Sequence, residues 1–96
     1  MASVEVSRVA VADLGRPIRV LELPSDTTDR VRRSLAPLAT FPRLGPALRG
    51  RWEGFRFLIG PWRWMLIVYV YLEDEDRVIV VGIHDARTSG AATSDG

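Results

Sequence analysis

The chain has 96 residues, 47% of them apolar, with three tryptophans and no cysteine. That is one folded domain with a modest core, and it excludes a disulfide framework and a cysteine-based zinc site. The net charge of +1 hides an uneven distribution: all thirteen cations are arginine, and eight of them lie between Arg30 and Arg63 against the single acid Glu53, while the rest of the chain has five arginines and eleven acids.

Arginine binds phosphate and carboxylate bidentately and stacks on bases, so the basic stretch reads either as a contact surface for an anionic partner or as a solvated face. One histidine and no cysteine leave little for a transition-metal site, and no metal or cofactor is expected. The start, Met1-Ala2-Ser3-Val4-Glu5, has neither the charged nor the apolar region of a signal peptide. The longest unbroken apolar run, Trp64 to Leu72, is nine residues, against the roughly 20 that a spanning helix needs. A cytoplasmic protein with no membrane partner is the expectation.

In chain order, Val4-Glu5-Val6-Ser7 alternates apolar and polar and predicts a short first strand. Ala10 to Leu14 starts a helix, which Gly15-Arg16-Pro17 is expected to interrupt because proline disfavours the α region in the residue before it. Ile18, Val20, Leu21 and Leu23 resume a pattern that fits either a helix or a strand, and the region is read as a broken helix ending at Pro24. Ser25 to Asp29 is dense in N-cap residues and predicts a second helix from about Thr27 to Ala39, with Val31, Leu35 and Leu38 on its buried face and a kink or stop at Pro37. Phe41 to Pro46 is a loop by composition.

Three runs rich in β-branched and aromatic residues follow: Trp52–Gly60, Trp62–Leu72 and Arg77–His84. The breaks at Gly60-Pro61 and Glu73–Asp76 make them an antiparallel meander. The acidic break is a solvated turn that discourages edge pairing. Trp62 and Trp64 share a face of the middle strand, where they belong either to the core or to a surface that stacks on bases. His84 shares strand parity with Val78, Val80 and Gly82 and so is expected either to cap a core face or to act in proton transfer. The fold class is α+β: a small twisted antiparallel sheet, formed by the N-terminal strand and the C-terminal meander, with two helices on one face. A single domain spans residues 1–87, and the tail 88–96 is expected to be disordered.

Several short motifs occur together in this order. A loop Leu38-x-x-Phe41-Pro42-Arg43-Leu44-Gly45 follows the second helix, then Gly54-Phe55-Arg56, then Gly60-Pro61-Trp62-Arg63, and the last strand runs into His84-Asp85-Ala86-Arg87. From about Leu35 to Arg87 the chain resembles the RelE/ParE superfamily of toxins from bacterial type II toxin–antitoxin modules. The resemblance implies a small twisted sheet with two helices on one face, and a cognate antitoxin that wraps the toxin with helices and a strand.

For activity the resemblance implies one of two things. RelE-like members are endoribonucleases that cut messenger RNA in the ribosomal A site, the 2′-hydroxyl attacking the adjacent phosphate. ParE-like members inhibit DNA gyrase. A degenerate member that only binds a partner is the third reading. On the nuclease reading, Arg63 stands at the arginine of the family's middle strand and Arg87 at the basic residue after the last strand, with His84 the nearest titratable group. Arg49, Arg51 and Arg56 are the accompanying nucleic-acid contacts, although Arg56 also reads as a solvent-facing strand residue. The tyrosine that some nucleases of the group use near the C-terminus has no counterpart here. Leu66 stands where the family often places a tyrosine three residues after the strand arginine. Matching that tyrosine to Tyr69 would put Leu66 in the arginine's place, and the alignment through Arg63 keeps turn and arginine together.

Overall fold

A computed structural model describes residues 1–87, and the expected disorder of the tail lies outside the described residues. The elements are β1 (Ser3–Val6), α1 (Arg8–Val20), α2 (Thr27–Leu35), β2 (Arg56–Ile59), β3 (Met65–Leu72) and β4 (Arg77–Asp85), with 3₁₀ turns at Ala36–Ala39, Gly50–Trp52 and Glu73–Glu75. The sheet order is β1-β4-β3-β2. The meander pairs antiparallel as expected, whereas β1 lies parallel to β4, with Ser3 opposite Arg77 and Val6 opposite Val80. A parallel pair needs a long connection, and the helical segment after β1 supplies it by carrying the chain to the far edge of the sheet.

The first helix is not broken. Ser7 caps it by accepting the Ala10 N–H at 3.1 Å, and it runs through Gly15 and Pro17. Ala10, Leu14 and Ile18 recur at four-residue spacing on its inner face and pack into the core, so burial outweighs the hydrogen bond that Pro17 removes. The helix ends where Glu22 takes a left-handed φ of 51° and the Leu23 N–H returns to the Ile18 carbonyl at 3.2 Å, a Schellman closure made without glycine. The second helix starts at Thr27 as predicted and gives way to a 3₁₀ turn at Ala36. Pro37 has no N–H for the Arg33 carbonyl, and the Ala36 N–H is shared between the carbonyls of Arg32 and Arg33 instead.

The strands are shorter than the apolar runs. Residues 61–64 form the turn that closes the β2–β3 hairpin, fixed by Gly60 N–H to the Met65 carbonyl at 2.8 Å and Met65 N–H to the Trp62 carbonyl at 2.9 Å. Trp62 and Trp64 therefore sit in a turn rather than on a strand face. Trp52 belongs to a 3₁₀ turn, and β2 begins only at Arg56.

Val31, Leu35 and Leu38 are buried with Ala10, Leu14, Met65, Ile67, Tyr69, Val78, Val80 and Ile83 between the helices and the sheet. Tyr69 is fully buried and accepts the Gly45 N–H at its hydroxyl, at 2.9 Å. A side chain at Gly45 would place its Cβ 2.1 Å from the Phe57 carbonyl oxygen, so only glycine lets the loop lie this close to β2. The same loop covers the outer edge of β2: the Phe57 N–H donates to the Pro46 carbonyl and the Leu48 N–H to the Phe55 carbonyl. At the other edge, β1 pairs with β4 alone among the described residues.

β3 and β4 lose register between Val68 and Tyr69: Val68 faces Gly82 and Tyr69 faces Val80, which leaves Val81 as an extra residue. The bulge reverses side-chain parity along β4. Val78, Val80 and Ile83 all reach the core, and His84, opposite Leu66, turns to the other face. The expectation that His84 shares a face with Val78 and Val80 is corrected by this one inserted residue.

Two consequences are measurable. Leu38 is fully buried, so Leu38→Ala should cost about 2–5 kcal/mol in denaturant unfolding. Glu5 on β1 accepts from Arg77 on β4 at 2.7 Å, and that bond holds the Glu5 carboxyl below its ordinary value. A lowered folded-state pKa gives stability that is present above the unfolded carboxylate pKa and is lost as pH falls through the folded one. Glu5→Gln should therefore flatten the acid limb of a melting-temperature profile and leave a smaller difference from wild type at the lowest pH.

Candidate functional site

The C-terminal end of β4 gathers the chemically capable side chains. β1 stops opposite Val80, so the β4 edge beyond it is open to α1, and the Asp13 carboxylate of α1 accepts the Ile83 N–H there at 3.1 Å. Between α1 and this end of β4 lies a cleft of about 480 Å³ lined by Asp13, Arg16, Pro17, His84, Asp85 and Arg87, among others. Gly82 leaves the floor bare: a Cβ there would lie 3.2 Å from His84 Nε2 and 3.3 Å from Asp13 Oδ2, so imidazole and carboxylate both approach a strand that carries no side chain.

His84 is half-buried, and the Trp52 indole meets its ring edge-on, with centroids 5.8 Å apart at 73°. Beyond β4 the Ala86 N–H donates to the Trp64 carbonyl at 2.7 Å, which fixes the chain beside the β2–β3 turn. Arg87 is held there on two sides. Its Nε and Nη2 donate to Asp85 at 3.1 and 2.9 Å, and its guanidinium lies 4.6 Å over the Trp64 ring. The Asp85 carboxylate raises the Arg87 pKa further, so the residue is a fixed cation at any physiological pH.

The expected site residues divide by position. His84 and Arg87 come together in the cleft. Arg63 is exposed in the turn between Trp62 and Trp64, two residues before β3 begins, and so reaches the neighbourhood of Arg87 through Trp64 rather than from a strand. Arg49 and Arg51 are exposed around the 3₁₀ turn that carries Trp52 to His84. Arg56 is engaged internally: one Nη donates to the Gly45 carbonyl at 2.8 Å and to the Arg43 carbonyl at 3.3 Å, bracing the loop that covers β2. Sequence reasoning did not find Asp13, Arg16 or Trp52. Asp13 lies 70 residues from Ile83, and nothing in a helical pattern marks such a contact.

Chemically, the cleft offers two guanidiniums for an anion and one imidazole, with the Asp85 carboxylate orienting Arg87. Among the described residues no group of three or more side chains converges as a metal site. No described helix is long and apolar enough to cross a membrane.

No family model and no curated protein matches the chain in sequence. Solved structures do match in shape. A metal-bound toxin from Helicobacter pylori superposes with a TM-score of 0.65 at 22% identity, over 91% of this chain and 97% of that one. A structure of the chromosomal ParDE toxin–antitoxin system from P. aeruginosa gives 0.67 at 16% identity, over 88% and 96%. The intact E. coli RelBE toxin–antitoxin complex gives 0.63 at 15% identity, over 88% and 96%. At these identities the likeness is one of architecture, and nearly the whole length of each chain takes part in it: this chain has the fold of the RelE/ParE toxins.

Proposed function

We propose that the chain is the toxin of a type II toxin–antitoxin pair and acts in the cytoplasm as a ribosome-dependent endoribonuclease on messenger RNA. The observation that carries the reading is the convergence of His84 and the fixed Arg87 in one cleft at the end of β4. In the reaction the 2′-oxygen bonds to the adjacent phosphorus and the bond to the 5′-oxygen breaks, so one proton leaves the nucleophile and one reaches the leaving group. Arg87, with Arg16 across the cleft, stabilises the charge that gathers on the phosphorane oxygens. His84 is the group in the cleft placed to carry a proton. Arg63, Arg49 and Arg51 supply exposed positive charge around the cleft for the RNA backbone.

A second reading, inhibition of DNA gyrase by binding alone, draws on a different surface. Phe41 and Leu44 are 61% and 52% exposed on the loop that Tyr69 and Arg56 pin to the sheet. A rigid loop displaying two apolar side chains suits a protein target.

The proposed antitoxin has a place to bind. An apolar groove of about 230 Å³ between α1 and α2, lined by Val11, Leu14, Ile18, Val31 and Leu35, opens beside the edge of β1. An added strand or an amphipathic helix would cover both. Expression of the chain alone should slow growth, and co-expression with the product of the neighbouring gene should restore it. Harmless high-level expression alone would count against an active toxin.

Arg87→Ala should abolish growth arrest and lower cleavage about 10²–10³-fold, as for the loss of one transition-state donor, while the melting temperature and antitoxin binding stay near wild type. Primer extension on cellular messages should show A-site cuts that disappear in Arg87→Ala and weaken in His84→Gln. Intact messages together with blocked supercoiling by purified gyrase would replace the nuclease with the second reading.

A further inference from the structure

Four side chains from three separate parts of the fold stack in one series beside the cleft. The Arg30 guanidinium of α2 lies over the Trp62 ring at 5.8 Å. Trp62 and Trp64 stack on each other, with centroids 6.2 Å apart and planes 26° from parallel. The Arg87 guanidinium closes the series over Trp64 at 4.6 Å. Each indole packs part of its surface against the edge of the core and leaves the rest exposed. Both terminal arginines keep about half of their side-chain surface in solvent, 47% for Arg30 and 53% for Arg87.

The surroundings are cationic. Arg63 stands between the two indoles in sequence, is exposed, and has no hydrogen bond, ion pair or ring contact among the described residues. Arg33 lines a shallow depression with Arg30 and Pro61. Against these cations stand Asp26, which engages Arg30 through Nε, and Asp85, which engages Arg87 through Nε and one Nη. Each carboxylate takes one edge of its guanidinium and leaves further N–H groups for another anion. A clip whose only task was to fasten α2 to the hairpin would gain nothing from exposed ends or from the unpartnered Arg63. Within the series the indole faces are taken by their neighbours, so the outward guanidinium faces are the planes left for unpaired bases, and the cations along the series meet the phosphates.

We infer that the Arg30–Trp62–Trp64–Arg87 stack is a binding platform for single-stranded RNA, with unpaired bases on the outward guanidinium faces at its two ends, which the indoles hold in place, and phosphates at Arg30, Arg63 and Arg87. The inference deepens the RNA-directed reading above and rests on it for its biological setting. It places the strand alongside the cleft, with Arg87 shared between platform and reaction centre, and it makes Arg30 and Trp62 binding residues that touch no reacting atom. A duplex keeps its bases stacked on one another and cannot use the planes.

The test is equilibrium binding of fluorescently labelled oligoadenylate to the full chain, read by anisotropy and by quenching of tryptophan emission, with duplex RNA of the same length as control. Wild type should bind the single strand more tightly than the duplex. Trp62→Leu, which keeps apolar bulk, should weaken single-strand binding about 5- to 100-fold, the range for loss of one stacked base. Trp62→Phe should restore most of it. Arg30→Gln should lower the slope of log affinity against log salt by about 0.7, one single-strand phosphate contact. Melting temperatures of the variants near wild type would show that the fold is kept. Wild-type affinity in both Trp62→Leu and Arg30→Gln, equal affinity for the duplex, or no binding by wild type at low salt would each overturn the inference. No cleavage is read in this assay. A chain that binds oligoadenylate through Trp62 but leaves messages whole would keep the platform and sink the nuclease, whereas A-site cutting with no platform binding would do the reverse.

Discussion

One unpaired residue in β4 governs what the sheet presents on each side. Up to Val80 the strand alternates regularly, and its inward side chains fill the core beneath the helices. Val81 then has no partner in β3, and the alternation restarts in the opposite phase. Ile83 is thereby brought inward to pack with Leu14 and Ile67, and His84 is turned away from the core towards Trp52. Without the bulge the imidazole would share the core face with Val78 and Val80. With it, the imidazole reaches the cleft beside Arg87. Bulges re-aim side chains at strand ends in this way, at the cost of one ladder pair.

A second constraint fixes the far side of the molecule. Tyr69 fills the centre of the sheet and sends its hydroxyl to the Gly45 N–H, and burial raises its pKa, so the phenol stays neutral and available for that bond. Arg56 accompanies it by donating to the carbonyls of Gly45 and Arg43. The loop is thus tied to β2 and β3 by contacts that also close the β2 edge, and an arginine that composition would place at a nucleic-acid surface is spent on backbone carbonyls. Among the described residues the other edge, along β1, is left open, and it adjoins the apolar groove between the helices.

The charge asymmetry of the sequence becomes selective once ion pairs are assigned. Arg77 is committed to Glu5 and Glu75, Arg43 to Glu73, Arg30 to Asp26 and Arg87 to Asp85. These exposed pairs add little stability each; their effect is to fix directions. Arg30 and Arg87 are also laid on indole planes. Arg49, Arg51 and Arg63 make no ion pair or hydrogen bond through their side chains among the described residues. Beside the end of β4, this uncommitted charge lies at the turns around Gly50–Trp52 and 61–64; on the helices Arg8, Arg16, Arg19 and Arg32 are likewise without an ion pair or side-chain hydrogen bond among the described residues.

The sequence by itself determined the class of fold, the meander, the second helix and the buried set Val31, Leu35 and Leu38, because those follow from local periodicity and turn chemistry. It also placed His84 and Arg87 correctly at the end of the last strand. It misjudged what local rules decide weakly: Pro17 looks like a break until burial of Ala10, Leu14 and Ile18 is counted, and Trp62 and Trp64 look like strand residues until the hairpin closes over them. The direction of β1, the Val81 bulge, the role of Arg56 and the entry of Asp13, Arg16 and Trp52 into the site were decided only by the tertiary structure. Each depends on contacts between residues far apart in the chain, such as Asp13 with Ile83, and periodicity within one segment carries no information about which distant segment will lie against it.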